Sequence, residues 1–205
     1  MAERARKQEK RKGFGRDTFL EPLTLSAVEI EHINAAYVFA KYGHHDQTRD
    51  GGGRYFDHPK EVANIIIHEL GIKNNWRLIV TALLHDILED TYLLSEDRIR
   101  RNFGKKVALW VKLLSKVPKE GYHERLSHCD IWEVLLVKLC DRIHNLRTIK
   151  SCNEKKQEKY LRETEALYLP LADALTALVP QKHASRAKYI REQIRSFVTQ
   201  FPPAQ

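Results

Sequence analysis

The stretch 81–91, TALLHDILEDT, constrains this chain more than any other. Ala82, Leu83, Leu84, Ile87 and Leu88 have the apolar spacing of a buried helix, yet His85, Asp86, Glu89 and Asp90 are set among them. On one continuous helix, positions three and four apart share a face, which puts His85 above Glu89 and Asp86 beside both Glu89 and Asp90. Carboxylates driven toward an apolar interior repel one another and lose hydration, so they need a positive partner. No Lys or Arg occurs from 78 to 96. The partner therefore comes from a distant segment or is not an amino acid. Imidazole nitrogen with carboxylate oxygen suits a divalent metal such as manganese, iron or zinc. A solvated helix end fits the His-Asp dipeptide as well.

A second segment repeats the pattern. In VLLVKLCDRIHNLRT, Asp141, Asn145 and Thr148 fall at i, i+4 and i+7 along one polar seam, while Leu135, Leu136, Leu139, Ile143 and Leu146 are apolar. Asp141 can face the first helix and supply a further oxygen. His44, in KYGHHDQTR at the end of the first long helical segment, offers a further nitrogen. His44, His85, Asp86 and Asp141 would together give two nitrogens and two oxygens, with room for water and substrate.

The rest of the chain reads as helices joined by short polar segments. Ala27, Val28, Ile30, Ile33, Ala36 and Ala40 give helical spacing over 26–42. HHDQTRDGGGRYFDHP is then a loop with three consecutive glycines, and Pro59 starts a helix that stops at Gly71. Asn74 or Asn75 caps the helix holding 81–91. Helices are predicted over 95–102 and 104–114. The loop SKVPKEGYHERL leads to Asp130, which with Glu133 makes a capping-box-like start for the helix carrying Asp141. A helix over 155–169 kinks or breaks at Pro170, and a last one spans 185–199. No period-2 alternation long enough for a sheet is present, so the expected fold class is all-α, a compact multi-helix bundle.

A chain of 205 residues that is 42% hydrophobic can bury one core, expected as a single domain over 21–200. Seven Lys/Arg against Glu3 and Glu9 fill the first 16 residues, so most of the net charge of +8 belongs to a basic, flexible tail over 1–20. Contact of that tail with nucleic acid is the lesser expectation. No apolar run approaches the roughly 20 residues that cross a bilayer. Three scattered cysteines, Cys129, Cys140 and Cys152, make neither a disulfide framework nor a CxxC pair, which points to a reducing cytoplasm.

The order His, His-Asp, Asp resembles the HD metal-dependent phosphohydrolase superfamily and, more narrowly, the hydrolase domain of the RelA/SpoT family. HHDQTR supplies His44, Gln47 and Arg49, and GGRYFDHP supplies Gly52, Tyr55, His58 and Pro59. LLHDILEDT, FGKKVA, KLCDRIHNLRT and YLPLA follow in order, so the resemblance covers about 26–178. It implies an HD-domain bundle holding one metal ion, Mn2+, on His44, His85, Asp86 and Asp141. It gives Glu89 and Asp90 the work of orienting water and moving protons. It sets Arg49 against a purine ring and places Asn145 and Thr148 at the nucleoside. The implied reaction removes the 3′-pyrophosphate from ppGpp or pppGpp to leave GDP or GTP, in a stand-alone small alarmone hydrolase without a synthetase domain. Tyr55 is expected as a packing residue, His58 as a loop anchor, and Lys138 and Arg142 as structural.

Two departures bear on this expectation. After Arg49 the family shows a basic or polar residue and then S-G-E-P-Y, whereas this chain has Asp50, Gly51, Gly52, Gly53, Arg54 and Tyr55. That change falls on base recognition, not on the metal shell, and brings in ppApp as a substrate. The family's R-L-G after P-L-A is replaced by Ala174, Leu175 and Thr176. The alternative functions are an NADPH 2′-phosphatase and a non-catalytic alarmone-binding module; the intact Glu89-Asp90 pair speaks against the second.

Overall fold

Ser26 opens the first helix with a reciprocal cap: the Glu29 N–H donates to Ser26 Oγ at 3.4 Å and the Ser26 N–H donates to Glu29 Oε2 at 2.9 Å. The computed structural model describes residues 19–91 and 94–200. Helix α1, Ala27–Gly43, buries Ile33, Ala36 and Ala40. Helix α2, Asp57–Asn64, runs on through a π turn, Ile65–Glu69. Helix α3, Trp76–Leu84, starts where the Asn75 side chain accepts from the Leu78 N–H at 3.2 Å. After it come α4, Ile87–Asp90, and α5, Glu96–Leu114, in which Gly104 at φ 85° marks the joint between 95–102 and 104–114. The chain continues through α6, Tyr122–Ser127, α7, Trp132–Arg147, and α8, Glu154–Glu163, which passes through a second π turn, Thr164–Tyr168. It ends with α9, Leu169–Leu178, and α10, Ala184–Gln200. Among the described residues there is no strand, only an isolated bridge between Thr48 and Arg54. No described helix is long and apolar enough to cross a membrane.

Two helices form the centre. All of α3 except Arg77 is buried, and it packs against α1, α2, α5 and α7. Helix α7 is buried at every position from 134 to 143 and is covered by α2, α5, α9 and α10. Each fully buried Leu or Ile here, such as Leu78, Ile79 and Leu83, contributes about 1.5–3 kcal/mol relative to exposure, so the backbones of α3 and α7 are rigid supports for whatever they present. The polar groups of interest lie where the end of α3, the first turn of α2 and the middle of α7 meet.

Four expectations are corrected. The stretch 81–91 is not one helix: α3 stops at Leu84, Asp86 adopts φ −100° and ψ −3°, and α4 is a single separate turn. Consecutive side chains on a continuous helix diverge by about 100°. The break at His85–Asp86 lets both neighbours face one centre. Asp130 does not cap α7, because Ile131 holds the cap position with no side-chain bond and packs with Trp132 against the core. The loop SKVPKEGYHERL contains α6, which buries Tyr122 and Leu126, four residues apart on one face. Nor does Pro170 break the chain: the Leu169 N–H donates to Thr164 O within the π turn, and Pro170 follows near the start of α9, where a missing N–H is tolerated. The basic segment lies outside the described residues apart from Phe19 and Leu20, and Phe19 is fully buried with its ring 5.8 Å from that of Tyr37.

Candidate metal centre

Four buried side chains from three elements converge. His58 comes from the first turn of α2, His85 and Asp86 from the break after α3, and Asp141 from the middle of α7. His58 Nε2 lies 3.1 Å from Asp141 Oδ1 and 3.6 Å from Asp86 Oδ2. His85 Nε2 lies 3.1 Å from Asp86 Oδ2 and 3.9 Å from Asp141 Oδ1. One donor atom from each of His58, His85 and Asp141 falls within 4.8 Å of the others, and Asp86 reaches both histidines.

The second layer aims these atoms. His85 Nδ1 donates to Ala82 O at 2.8 Å, which turns Nε2 into the cluster, where it is buried and has no aligned hydrogen-bond partner. Asp141 is held at both oxygens: Lys138 Nζ donates to Oδ2 at 3.0 Å and Asn145 Nδ2 donates to Oδ1 at 2.5 Å. Burial alone would raise both acids, but His85 beside Asp86 and Lys138 beside Asp141 outweigh it and hold both well below the usual carboxylate range. Burial likewise opposes a charge on His85, yet Asp86 and Asp141 raise it to about 9. Without a cation, a proton on His85 supplies the positive charge these acids need. An orphaned buried imidazole nitrogen facing two ionised carboxylates fits a divalent cation, which would take that proton's place. These groups form a candidate divalent metal site.

The geometry groups His58, not His44, with His85 and Asp141. His44 instead closes α1: its Nδ1 donates to Gln47 Oε1 at 2.8 Å, and its ring stacks on Tyr55 with centroids 4.7 Å apart. The sequence held a signal for His58. Counting from it by four, seven and eight gives Val62, Ile65 and Ile66, all buried, so His58 begins the buried face of α2.

Tyr55 also does more than pack. Its hydroxyl lies 2.9 Å from Asp86 Oδ2 and 2.6 Å from Asp90 Oδ2, and with one proton it donates to one of them at a time. The loop reverses at Gly52, φ 76°, where the Arg49 N–H donates to Gly53 O at 2.9 Å, and this brings Tyr55 back beside Gln47, to whose carbonyl the Tyr55 N–H donates at 2.9 Å. Arg49 Nη2 donates to Asn145 Oδ1 at 2.8 Å and reaches Thr148 Oγ1 at 3.5 Å, so the structure brings these three residues together. Asp50 turns away to accept from Lys156 Nζ at 2.6 Å and from the Cys152 thiol at 3.1 Å. Arg142 lies 3.7 Å over the Tyr168 ring and donates to Glu163.

Glu89 stands at the rim of the cluster, with Oε2 3.5 Å from Lys116 Nζ and Oε1 buried without a partner. Burial raises its carboxyl, Lys116 pulls it down, and Asp86 and Asp90 push it up again, to about 7. A cavity of about 210 Å³ lies over the cluster, lined by Arg49, Tyr55, His58, Asp86 and Asp141 among others. A neighbouring one of about 660 Å³ shares Lys116, Asp141 and Asn145 and adds Lys119 and Lys159.

Comparison with known proteins gives this arrangement a family. Residues 36–177 match the model of the HD domain. This chain belongs to the HD domain family. The HD domain here is similar to part of the bifunctional (p)ppGpp synthase/hydrolase SpoT of Escherichia coli, 34% identical over 159 residues, covering 72% of this chain and 22% of that protein. It is similar to a guanosine-3′,5′-bis(diphosphate) 3′-pyrophosphohydrolase of Aquifex aeolicus, 38% identical over 154 residues, covering 71% and 22%. A GTP pyrophosphokinase of Streptomyces coelicolor is 36% identical over 171 residues, covering 78% and 19%. The chain thus spans about a fifth of the length of these curated relatives. The fold is also that of a solved metazoan ortholog of SpoT described as hydrolysing ppGpp, with a TM-score of 0.67 at 20% identity over 87% of this chain and 98% of that one.

Proposed function

We propose that this HD domain hydrolyses the 3′-pyrophosphate of guanosine alarmones, ppGpp and pppGpp, releasing pyrophosphate and GDP or GTP, with Mn2+ as its metal. The observation that carries the reading is the buried cluster of His58, His85, Asp86 and Asp141 beneath a polar cavity, which adjoins a larger one lined by Lys116, Lys119 and Lys159. The named activity of the pyrophosphohydrolase relatives supports it. We assign His58, His85, Asp86 and Asp141 as the ligands. Bound there, a divalent cation supplies Lewis acidity toward phosphoryl oxygens and lowers the pKa of water toward neutrality.

The chain's own residues do the rest. Glu89, whose carboxyl burial and Asp86 raise to about 7 in the metal-free protein, lies in reach of Lys116 and is positioned to give or take a proton at the attacking water or the leaving oxygen. Asp90 shares the Tyr55 hydroxyl with Asp86, so Tyr55 couples the proton-handling edge to the ligand side. Arg49 offers its guanidinium plane to the purine, anchored at Nη2 by Asn145 and Thr148. The lysines meet a polyphosphate as point charges.

Purified protein incubated with ppGpp, ppApp and NADPH in parallel, with and without Mn2+, tests the reading. Chromatography of the products should show GDP and pyrophosphate from ppGpp, abolished by chelator. Orthophosphate from NADPH alone would replace this function with a 2′-phosphatase, and no product from any substrate would remove the enzymatic reading.

A further inference from the structure

His144 belongs neither to the proposed ligands nor to the purine contacts. It follows Asp141 by three positions on α7, so the two residues share a face of the helix. Its Nδ1 lies 2.7 Å from Nδ1 of His58, with the ring centroids 4.9 Å apart. That separation is a hydrogen bond, in which one nitrogen carries the proton and the other the lone pair. The far end of the His58 ring decides which. When His58 Nε2 donates to Asp141 Oδ1, 3.1 Å away, the His58 proton is on Nε2 and His144 Nδ1–H must donate. When His58 Nε2 offers its lone pair to a cation, the His58 proton is on Nδ1 and His144 must accept it, keeping its own proton on Nε2. Each ring holds one proton in either arrangement. A carboxylate in place of His144 would only accept and an ammonium would only donate, whereas an imidazole does both. A change of tautomer moves only protons, so the ring keeps its place beside a cavity of about 420 Å³ lined also by Arg49, Thr148 and Ser151.

We propose that His144 is a positioning residue for the metal centre, whose Nδ1 accepts from Nδ1–H of His58 and so fixes the tautomer and ring orientation that present His58 Nε2 to a divalent cation. This rests on His58 being a ligand. Partners of this kind that orient a ligating imidazole are typically worth about 10- to 100-fold in metal affinity.

The test is Mn2+ binding to metal-stripped protein, followed by the electron paramagnetic resonance of free Mn2+. His144→Phe keeps a ring but removes both nitrogens and should weaken binding by about 10- to 100-fold. His144→Asn places an amide near the position of Nδ1 and should recover most of that loss. Unchanged affinity in His144→Phe overturns the inference. So does a His144→Asn variant no better than His144→Phe, since the ring would then merely pack. His58→Ala separates this from the ligand assignment: wild-type affinity there removes His58 from the site, whereas lost affinity there with intact binding in His144→Phe removes only the role of His144. Should His144→Phe fail to fold, long-range nitrogen–proton spectra of the Zn2+-loaded wild type decide. They should show His58 protonated on Nδ1 and His144 on Nε2, and the reverse assignment overturns the inference.

Discussion

Replacing Glu89 by Gln should make the metal-free protein more stable, and by an amount that grows with pH. The carboxyl ionises at about 7 in the fold against an ordinary 4.5, because burial and the charges of Asp86 and Asp90 outweigh Lys116. With about 1.4 kcal/mol per pH unit, the gap corresponds to roughly 3 kcal/mol. The side chain is only 12% exposed, so solvent screening takes little from that figure. Between the two values the folded chain holds a proton that the unfolded chain has lost. Folding stability therefore falls as pH rises through this window, and the full penalty stands above it. Glutamine imitates the protonated carboxyl at every pH. The variant should match the parent near pH 4.5 and exceed it by up to roughly 3 kcal/mol above neutrality, read from urea unfolding in the presence of EDTA. Turnover should fall by about 10²-fold or more, since the same change deletes the proton carrier. A stability difference that stays constant from acid to alkaline pH would mean that Glu89 ionises in the fold at its ordinary value of 4.5 and is a carboxylate at neutral pH, and its role as an acid would be withdrawn.

Other predictions use the same cluster. His85 is raised from 6.5 to about 9, so its contribution in metal-free protein is fully present below 6.5 and is lost as pH rises through 9; melting curves should show this decline with EDTA and a flatter profile with Mn2+. Lys138→Met leaves the buried Asp141 carboxylate without its ammonium and should cost about 3–5 kcal/mol in denaturant unfolding. Arg49→Ala removes the plane proposed to meet the purine, so KM for ppGpp should rise more than kcat falls; steady-state kinetics showing the opposite split would place Arg49 in the chemical step.

The sequence made the helical architecture readable because its apolar spacing was strong. Ile33, Ala36 and Ala40 recur at helical spacing, as do Leu135, Leu136, Leu139, Ile143 and Leu146. What was not visible were the places where tertiary packing overrides local preference. Ile131 and Trp132 seat the start of α7, although Asp130 and Glu133 offer a cap. The helix break at His85–Asp86 has no proline or glycine to announce it, and only convergence on a shared centre explains it. At the site, His85, Asp86 and Asp141 stood out because acids and imidazole within apolar runs are costly. His44 and His58 could not be ranked so easily, since both sit at the ends of one glycine-rich loop. Both are buried, and which of them reaches His85 and Asp141 depends on how α2 docks on α7, a long-range fact. Tyr55 was undervalued for a related reason: its ring packs on His44, but its hydroxyl touches Asp86 and Asp90, which lie more than 30 positions along the chain.

The most direct measurement is diffraction from crystals grown with Mn2+, collected at the manganese absorption edge. The anomalous map should contain one peak, contacted by the Nε2 atoms of His58 and His85 and by oxygens of Asp86 and Asp141. No peak at this cluster, or a peak that His44 contacts in place of His58, would contradict the account.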